Sequence, residues 1–224
     1  DKRLLWHPYT PMRRYIDEVD PVVVERAEGI YLYDADGTRY VDGNSSWWVN
    51  VLGHNHPRLM EALRRQTETL AHCSMAGMTH EPAVRLAEKL LPRLGESYAR
   101  LFFSDDGSTA VEVAVRIAHQ YWRNHGRPAK KRFVTLGGAF HGETVGAASV
   151  SGAPVFHEAL GDLLFDRVLL PSPGRAADER ERGDGDWHEE AFARAAGILA
   201  EKADRIAAVI VEPLVQGAAG MLMY

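Results

Sequence analysis

The fold is decided by residues 132–144, RFVTLGGAFHGET. The first part, 132–136, has the apolar character of a buried β-strand, and it leads directly into a glycine-rich loop. The glycines free the backbone to present Phe140 and His141 at the carboxyl end of the strand. Open α/β sheets bind ligands at this edge, so an aromatic ring here could stack on a flat cofactor. The alternative is that Phe140 packs inward beneath the loop.

Apolar strands alternate with helices on both sides of this stretch. We predict strands at residues 101–103, 132–136 and 206–211, and helices at 57–71, 81–94, 110–122 and 188–202. This alternation favours an α/β fold with a mostly parallel sheet and crossover helices. Residues 171–186 are polar and rich in Gly, Pro and Asp, which predicts a surface loop.

The N-terminal part of the chain has a different character. Residues 1–20 predict an irregular segment, because Pro8, Pro11 and Pro21 interrupt helices. Residues 21–42 predict a small antiparallel meander. Its strongest signal is Asp36-Gly37, which separates two β-type runs as a hairpin turn does.

Composition limits the classes of function. Of 224 residues, 46% are hydrophobic and 25% charged, which indicates a globular protein rather than a disordered one. The net charge of -5 does not favour nucleic-acid binding. No apolar run reaches the roughly 18 residues that span a bilayer, and no signal peptide is visible. The single cysteine, Cys73, excludes an internal disulfide and suits the cytoplasm, where we expect the protein. The histidines form no zinc motif, so we expect no metal site.

The turn DDGSTA at residues 105–110 lies between a predicted strand and a predicted helix. A helix N-terminus exposes unpaired N–H groups and about half a positive charge, which suits a phosphate. Gly107 lets a ligand approach the backbone, and Ser108 adds a hydroxyl donor. The alternative is simple capping, with Ser108 or Thr109 and Glu112 forming a capping box. The spaced glycines and Lys of a Walker A loop are absent.

Two further features are candidates for a site. Trp47 and Trp48 stand in a segment rich in Ser and Asn, and we expect one indole in the core and the other at a pocket. Glu212 closes the strand 206–211, at the edge where functional acids are found.

Further motifs occur in order along the chain. They are LWHPYT at 5–10, DGNSSWW at 42–48, GHNHP at 53–57, GMTHEP at 77–82, FFSDDGS at 102–108, VEVA at 111–114, QYW at 120–122, HGET at 141–144 and VEPLVQG at 211–217. With these motifs the whole chain resembles the class III aminotransferases, which use pyridoxal phosphate (PLP) and adopt the α/β architecture called fold type I. The WHPY and SSWW pieces are typical of the branch of this family that serves biotin biosynthesis.

The resemblance implies roles toward the cofactor. Gly107 and Ser108 correspond to residues that hold the phosphate of PLP, and Phe140 to the ring that stacks on its pyridine. Glu212 corresponds to a residue with a supporting role near the cofactor.

The resemblance also implies the substrate side of the reaction. Trp47 resembles a wall of the substrate pocket, and Tyr9 a residue that helps recognise the keto substrate. The implied activity transfers an amino group to 8-amino-7-oxononanoate in a two-stage, ping-pong cycle. Relatives usually have tyrosine where this chain has Phe140, which leaves the amino donor open between S-adenosylmethionine and lysine.

The chain matches the N-terminal half of the family. The Schiff-base lysine and the aspartate that pairs with the pyridine nitrogen lie beyond Tyr224 in relatives. The lysines present do not follow a strand in a suitable setting; they are Lys2, Lys89, Lys130, Lys131 and Lys202. We therefore expect no catalytic residue in this chain and negligible transamination by it alone. Residues 1–50 are expected to form an arm and the meander of a small domain, and 51–224 part of the large cofactor domain.

Partners follow from the same resemblance. Relatives are homodimers with active sites at the subunit interface, so we expect a homodimer with small-molecule substrates and neither nucleic acid nor membrane as partner. The loop 75–79 is expected to approach the partner's cofactor. Two alternatives remain: another class III ω-aminotransferase, and a non-catalytic module that binds phosphate or PLP.

Overall fold

The computed structural model describes residues 1–172 and 187–224. They form two compact units, Asp1–Ser97 and Tyr98–Tyr224. The predicted domain boundary between residues 50 and 51 stays a prediction. The predicted surface loop 171–186 falls, from residue 173 onward, outside the described residues.

The first unit contains a three-stranded sheet and four helical segments. Its elements are α1 (Met12–Glu18), β1 (Val24–Glu28), β2 (Tyr31–Asp34), β3 (Arg39–Val41), α2 (Ser45–Trp48), α3 (Pro57–Thr69) and α4 (Glu81–Leu94). The strands pair antiparallel in the order β1-β2-β3, which confirms the predicted meander. The turn between β2 and β3 contains Gly37, with φ of 82°, as a hairpin of this type requires.

Proline marks helix starts in this unit more often than it interrupts helices. The prediction of an irregular segment over residues 1–20 is wrong, because α1 begins directly after Pro11. A proline has no N–H to lose at the first turn of a helix, where N–H groups lack partners anyway. For the same reason Pro57 and Pro82 lie at the starts of the two longer helices, close to the predicted positions.

The second unit contains a three-stranded parallel sheet with helices. Its elements are α5 (Gly107–Asn124), β4 (Arg132–Leu136), α6 (Val145–Ser149), α7 (Pro154–His157), a 3-10 helix (Glu158–Leu163), β5 (Arg167–Leu170), α8 (Trp187–Lys202), β6 (Ile206–Val209), β7 (Val215–Gln216) and β8 (Leu222–Met223). The order is β5-β4-β6 with both pairs parallel, which confirms the predicted α/β class. Strands β7 and β8 form a separate antiparallel pair.

The core of the second unit lies on the central strand. Val134 of β4 is fully buried and clusters with Val168 and Leu170 of β5. Apolar residues of α8 pack against this cluster: Ala195, Ile198 and Leu199. On β6, the carbonyl of Ala207 accepts a hydrogen bond from the Trp122 indole at 2.7 Å, which fastens α5 to the sheet.

One predicted strand is wrong, and several element bounds differ by one to three residues. Residues 101–103 belong to no strand, since no described strand pairs with them, and Phe102 and Phe103 are exposed. Helix α5 begins at Gly107, ahead of the predicted residue 110, because Asp106 caps it. Strand β6 ends at Val209 rather than at residue 211.

Candidate active site

The loop Gly137–Thr144, hereafter the His-Gly loop, follows β4 at the carboxyl edge of the parallel sheet. Its first amide, that of Gly137, donates to the carbonyl of Leu170 at the end of the neighbouring strand, at 2.8 Å. Gly138 has φ of 77°, and a Cβ there would lie 3.1 Å from Oε1 of Gln216. Glycine at this position therefore allows both the backbone conformation and the close approach of a second segment.

That second segment, residues 212–217, follows β6 at the same edge. Glu212 accepts the amide of Phe140 on Oε2 at 2.9 Å and the amide of Gly217 on Oε1 at 3.0 Å. Both carboxylate oxygens are thus used to join the two loops. A charged acceptor makes these bonds stronger than neutral ones, so the position of Phe140 is well determined.

Gln216 is a residue of this edge to which the sequence assigned no role. Its side chain is fully buried. Its Nε2 donates to the carbonyl of Gly137 at 2.8 Å, and its Oε1 accepts from the Ser172 hydroxyl at 3.0 Å. A buried amide must be satisfied in this way, and here it fixes three chain segments together. The only sequence signal was its place in the VEPLVQG motif.

The start of α5 carries a capping box, but a different one from the alternative that the sequence offered. The side chain of Asp106 accepts the amide of Thr109 at 2.8 Å, and the Thr109 hydroxyl accepts the amide of Asp106 at 3.0 Å. Capping by Ser108 or Thr109 with Glu112 is wrong, because aspartate occupies the N-cap position.

The capping box leaves two amides free at the helix start. Among the described residues, the backbone N–H groups of Gly107 and Ser108 have no hydrogen-bond partner. Apart from the adjacent residues and the backbone of α5 itself, no described atom lies within 4 Å of the place where a Cβ of Gly107 would stand. The helix start is therefore open and positively polarised, as an anion requires.

Helix α5 and the His-Gly loop are locked together next to these amides. The Ser108 hydroxyl oxygen accepts the amide of Glu143 at 3.1 Å, which leaves its hydrogen available to donate. A Cβ on Gly142, whose φ is 129°, would overlap the Ser108 side chain. Glu112 accepts the amide of Gly146 at 2.8 Å just beyond the loop.

The second unit thus brings together the four residues predicted to bind a cofactor. The His-Gly loop contacts Ser108 through the amide of Glu143 and Glu212 through the amide of Phe140. The Phe140 ring is partly buried and lies edge-on to Phe156, with 4.8 Å between centroids. Whether it covers a cofactor ring stays a prediction.

His141 faces inward from the same loop. Its Nε2 lies 3.1 Å from the Thr135 hydroxyl, and its amide donates to the Ser151 hydroxyl at 2.9 Å. Burial lowers the pKa of His141 below its ordinary value of 6.5, while the negative charge of Glu212 acts in the opposite direction. The neutral imidazole is therefore favoured in the folded protein.

The first unit brings together the two residues predicted to contact substrate. The rings of Tyr9 and Trp47 lie with centroids 5.3 Å apart at 42°. Trp47 and Trp48 are both 57% exposed, so the expectation that one indole lies in the core is wrong. The segment that carries them, α2, is a left-handed turn, which places neither ring against the body of the unit. The loop 75–79 also exposes its methionines, Met75 and Met78, and its approach to a partner stays a prediction.

The described residues contain no group of three or more His, Cys, Asp or Glu that could hold a metal ion. The same part of the chain has no helix with the length and apolar character needed to cross a membrane. The Lys130 ammonium group donates to the carbonyl of Ile206 at 3.3 Å, at the amino end of the parallel sheet and away from the His-Gly loop.

The chain belongs to the aminotransferase class-III family, whose sequence profile matches residues 15–224. Among curated relatives it is similar to the adenosylmethionine-8-amino-7-oxononanoate aminotransferase of Aquifex aeolicus, with 42% identity covering 100% of this chain and 49% of that enzyme. The enzyme of the same name from Synechococcus elongatus is 46% identical, with 98% of this chain and 50% of that enzyme covered. The chain spans about half the length of the curated relatives it matches.

Solved structures give the same family. The enzyme of that name from Methanocaldococcus jannaschii matches with a TM-score of 0.89 and 33% identity, covering 100% of this chain and 48% of that one. An omega transaminase of Pseudomonas jessenii, solved in complex with PMP, matches with a TM-score of 0.89 and 32% identity, covering 100% and 49%. The fold is therefore that of the PLP-dependent class III transaminases.

Proposed function

We propose that this protein is a PLP-dependent aminotransferase of biotin biosynthesis that transfers an amino group to 8-amino-7-oxononanoate, giving 7,8-diaminononanoate. The observation that supports PLP as the cofactor is the open start of α5, which is bonded to the loop that holds Phe140. The curated relatives named above support the substrate. We further propose S-adenosylmethionine or lysine as amino donor, a homodimer as the working form, and the cytoplasm as its location.

The residues present fit PLP at its phosphate end. The free amides of Gly107 and Ser108 and the dipole of α5 bind a phosphate dianion, and the Ser108 hydroxyl donates its remaining hydrogen. The gap at the Cβ position of Gly107 leaves room for the phosphate oxygens.

The residues also fit the flat ring. Phe140 presents an aromatic face that excludes water from one side of the pyridine, and Glu212 holds the Phe140 backbone in place. When bound, PLP supplies the electron sink and carries the amino group between donor and acceptor.

The substrate side rests on the first unit. We propose that Trp47 forms an apolar wall for the carbon chain of the keto acid. Tyr9, whose ring contacts Trp47, presents its phenol to a polar group of the same substrate.

The test is a coupled assay of the full-length protein with PLP, 8-amino-7-oxononanoate and each candidate donor. Formation of 7,8-diaminononanoate with one donor is expected. In the 224-residue chain alone we expect PLP to bind without turnover, because relatives carry the Schiff-base lysine in the half that this chain does not cover, and Lys130 is bonded away from the His-Gly loop. Borohydride trapping of PLP on a lysine of this chain would contradict that expectation.

A second candidate is an ω-aminotransferase acting on other amines. The Pseudomonas jessenii omega transaminase favours it, because its TM-score of 0.89 equals that of the Methanocaldococcus jannaschii enzyme. Turnover of ω-amines with no reaction of 8-amino-7-oxononanoate would select this candidate. Binding of phosphate or PLP without turnover of any of these amines by the full-length protein would select the non-catalytic alternative.

A further inference from the structure

The segment Ser45–Trp48, which we call the tryptophan turn, has an unusual backbone. Its residues have φ values of 54°, 48°, 65° and 66°, all in the left-handed region. None of them is glycine, and this conformation costs about 1–2 kcal/mol for each such residue. A turn of this kind persists only where surrounding groups hold it, and such strain concentrates at functional sites.

Asp42 is the group that holds the tryptophan turn. Its Oδ1 accepts the amide of Ser46 at 2.8 Å, and its Oδ2 accepts the Ser46 hydroxyl at 2.7 Å. Asn44 adds a longer bond, from the amide of Trp47 at 3.4 Å. The bonds from Ser46 lower the pKa of Asp42, so its carboxylate stays charged at neutral pH.

His54 lies behind Asp42 and links it to the meander. Its Nε2 lies 2.7 Å from Oδ2 of Asp42, and the side chains of His54 and Asp42 are only 13% and 6% exposed. The backbone of His54 exchanges two hydrogen bonds with Gly29, at 2.7 and 3.1 Å. A Cβ on Gly53 would stand 3.0 Å from the Gly29 carbonyl oxygen, so the two segments meet closely. The tryptophan turn is therefore tied through two largely buried side chains to Gly29, between β1 and β2.

The Asp42–His54 contact is partly buried, yet the indole that it orients is exposed. Trp47 is 57% exposed, and its described aromatic contact is with Tyr9. Packing of the indole therefore does not explain why the strained turn is kept. Presentation of the indole to a ligand does explain it.

We propose that Asp42, backed by His54, is the positioning residue that holds Trp47 against the keto substrate. This inference rests on the proposed function, in which Trp47 walls the substrate pocket. It adds a residue to the substrate side that touches no substrate itself and acts through the tryptophan turn.

The test compares Asp42→Asn with a matched control, Asp34→Asn, in the full-length protein. Asp34 holds the neighbouring turn of the same sheet: its Oδ1 accepts the amides of Asp36 and Thr38 at 3.0 and 2.8 Å, and its Oδ2 accepts the Tyr40 hydroxyl at 2.9 Å. Asp42→Asn should raise KM for 8-amino-7-oxononanoate about tenfold, as loss of a charged hydrogen bond does. Asp34→Asn should leave KM unchanged, and neither should alter the half-reaction with the amino donor.

A double-mutant cycle separates positioning from a general loss of stability. If Asp42 acts through Trp47, the variant Asp42→Asn/Trp47→Phe should have the KM of Trp47→Phe alone. Additive effects, or an equal loss of kcat in both half-reactions, would overturn the proposal. If Asp42→Asn does not fold, Ser46→Ala removes part of the same contact and takes its place.

A readout without turnover keeps this proposal distinct from the proposed function. The near-ultraviolet circular dichroism of the Tyr9–Trp47 pair should be lost in Asp42→Asn and kept in Asp34→Asn. If the wild type does not convert 8-amino-7-oxononanoate, the proposed function fails, and the dichroism still decides whether Asp42 holds the turn. An unchanged aromatic signal in Asp42→Asn would overturn the proposal.

Discussion

The amide of Phe140 donates to the carboxylate of Glu212 at 2.9 Å, between residues that are 72 positions apart in the chain. The same carboxylate accepts the amide of Gly217 on its other oxygen. One side chain therefore determines where the aromatic ring of the His-Gly loop lies.

Replacing Glu212 by Gln should loosen this loop. The amide side chain offers one acceptor where the carboxylate offered two, so either Phe140 or Gly217 keeps an unpaired N–H. We expect a loss of about 1–3 kcal/mol in the free energy of unfolding and weaker binding of PLP. Urea unfolding and a spectral titration with PLP measure the two effects. Asp162→Asn makes the same carboxylate-to-amide change at an exposed residue and should alter neither.

Replacing Gly142 by Ala tests the contact between the loop and α5. The new methyl group would overlap the Ser108 side chain, and φ of 129° is strained for alanine. We expect a loss of about 1–3 kcal/mol in stability together with weaker PLP binding. The control is Gly197→Ala in α8, where no atom lies within 4 Å of the new Cβ. That variant should gain about 0.5–1 kcal/mol, because alanine favours a helix. Equal changes in stability and PLP binding in the two variants would contradict the close contact between Gly142 and Ser108.

Phe140 is expected to contribute to PLP binding through its ring alone. Phe140→Ala should weaken PLP binding by up to about tenfold, in line with an aromatic contact of about 0.5–1.5 kcal/mol. Phe140→Tyr should keep the affinity and can change the preference between S-adenosylmethionine and lysine, since it adds a hydroxyl. A spectral titration gives the affinity, and a donor panel gives the preference. Equal affinity of the alanine variant and the wild type would place the ring away from the cofactor.

Acid should destabilise the protein before its carboxylates titrate. Burial lowers the pKa of His141 below 6.5, so the unfolded chain binds a proton more readily than the folded one. The stability due to this difference is complete above pH 6.5 and is lost as the pH falls toward the folded pKa. His157 shifts in the same direction through burial and the charge of Arg167. The free energy of unfolding, measured with urea, should therefore fall as the pH drops below 6.5. This fall should be smaller in His141→Gln than in the wild type. An unchanged pH dependence of stability in that variant would show that His141 does not cause it.

The sequence predicted those elements whose signal is local. The run 132–136 became the central strand, because a strand with both faces covered is largely apolar, as residues 133–136 are. Helix α4 has the predicted bounds, since Pro82 in its first turn and Gly95 after its end mark them. The segment 101–103 looked like a strand by composition alone, and pairing with a neighbour is what makes a strand.

The candidate site was predictable only in part. Gly107 and Phe140 could be proposed because a glycine at a predicted helix start and a ring in a glycine-rich loop after a strand are visible in the sequence. The role of Gln216 could not, since its partners Gly137 and Ser172 are brought to it by the parallel sheet. The role of Asp42 was not predicted, for a related reason. Its bond to His54 joins residues that are 12 positions apart in the chain. Its proposed role also depends on a left-handed backbone, which four non-glycine residues do not indicate in a sequence.

The hydrogen bonds of Gln216 and Glu212 to the His-Gly loop also impose an order on biosynthesis. The loop is translated about 70 residues before the side chains that fix it, a separation that slows native contact formation. On the ribosome, Gly137 and Phe140 therefore wait for residues 212–217 to leave the exit tunnel before they take their final places. Until then the loop that carries Phe140 lacks these anchors, and incompletely packed chains of this kind are prone to aggregate.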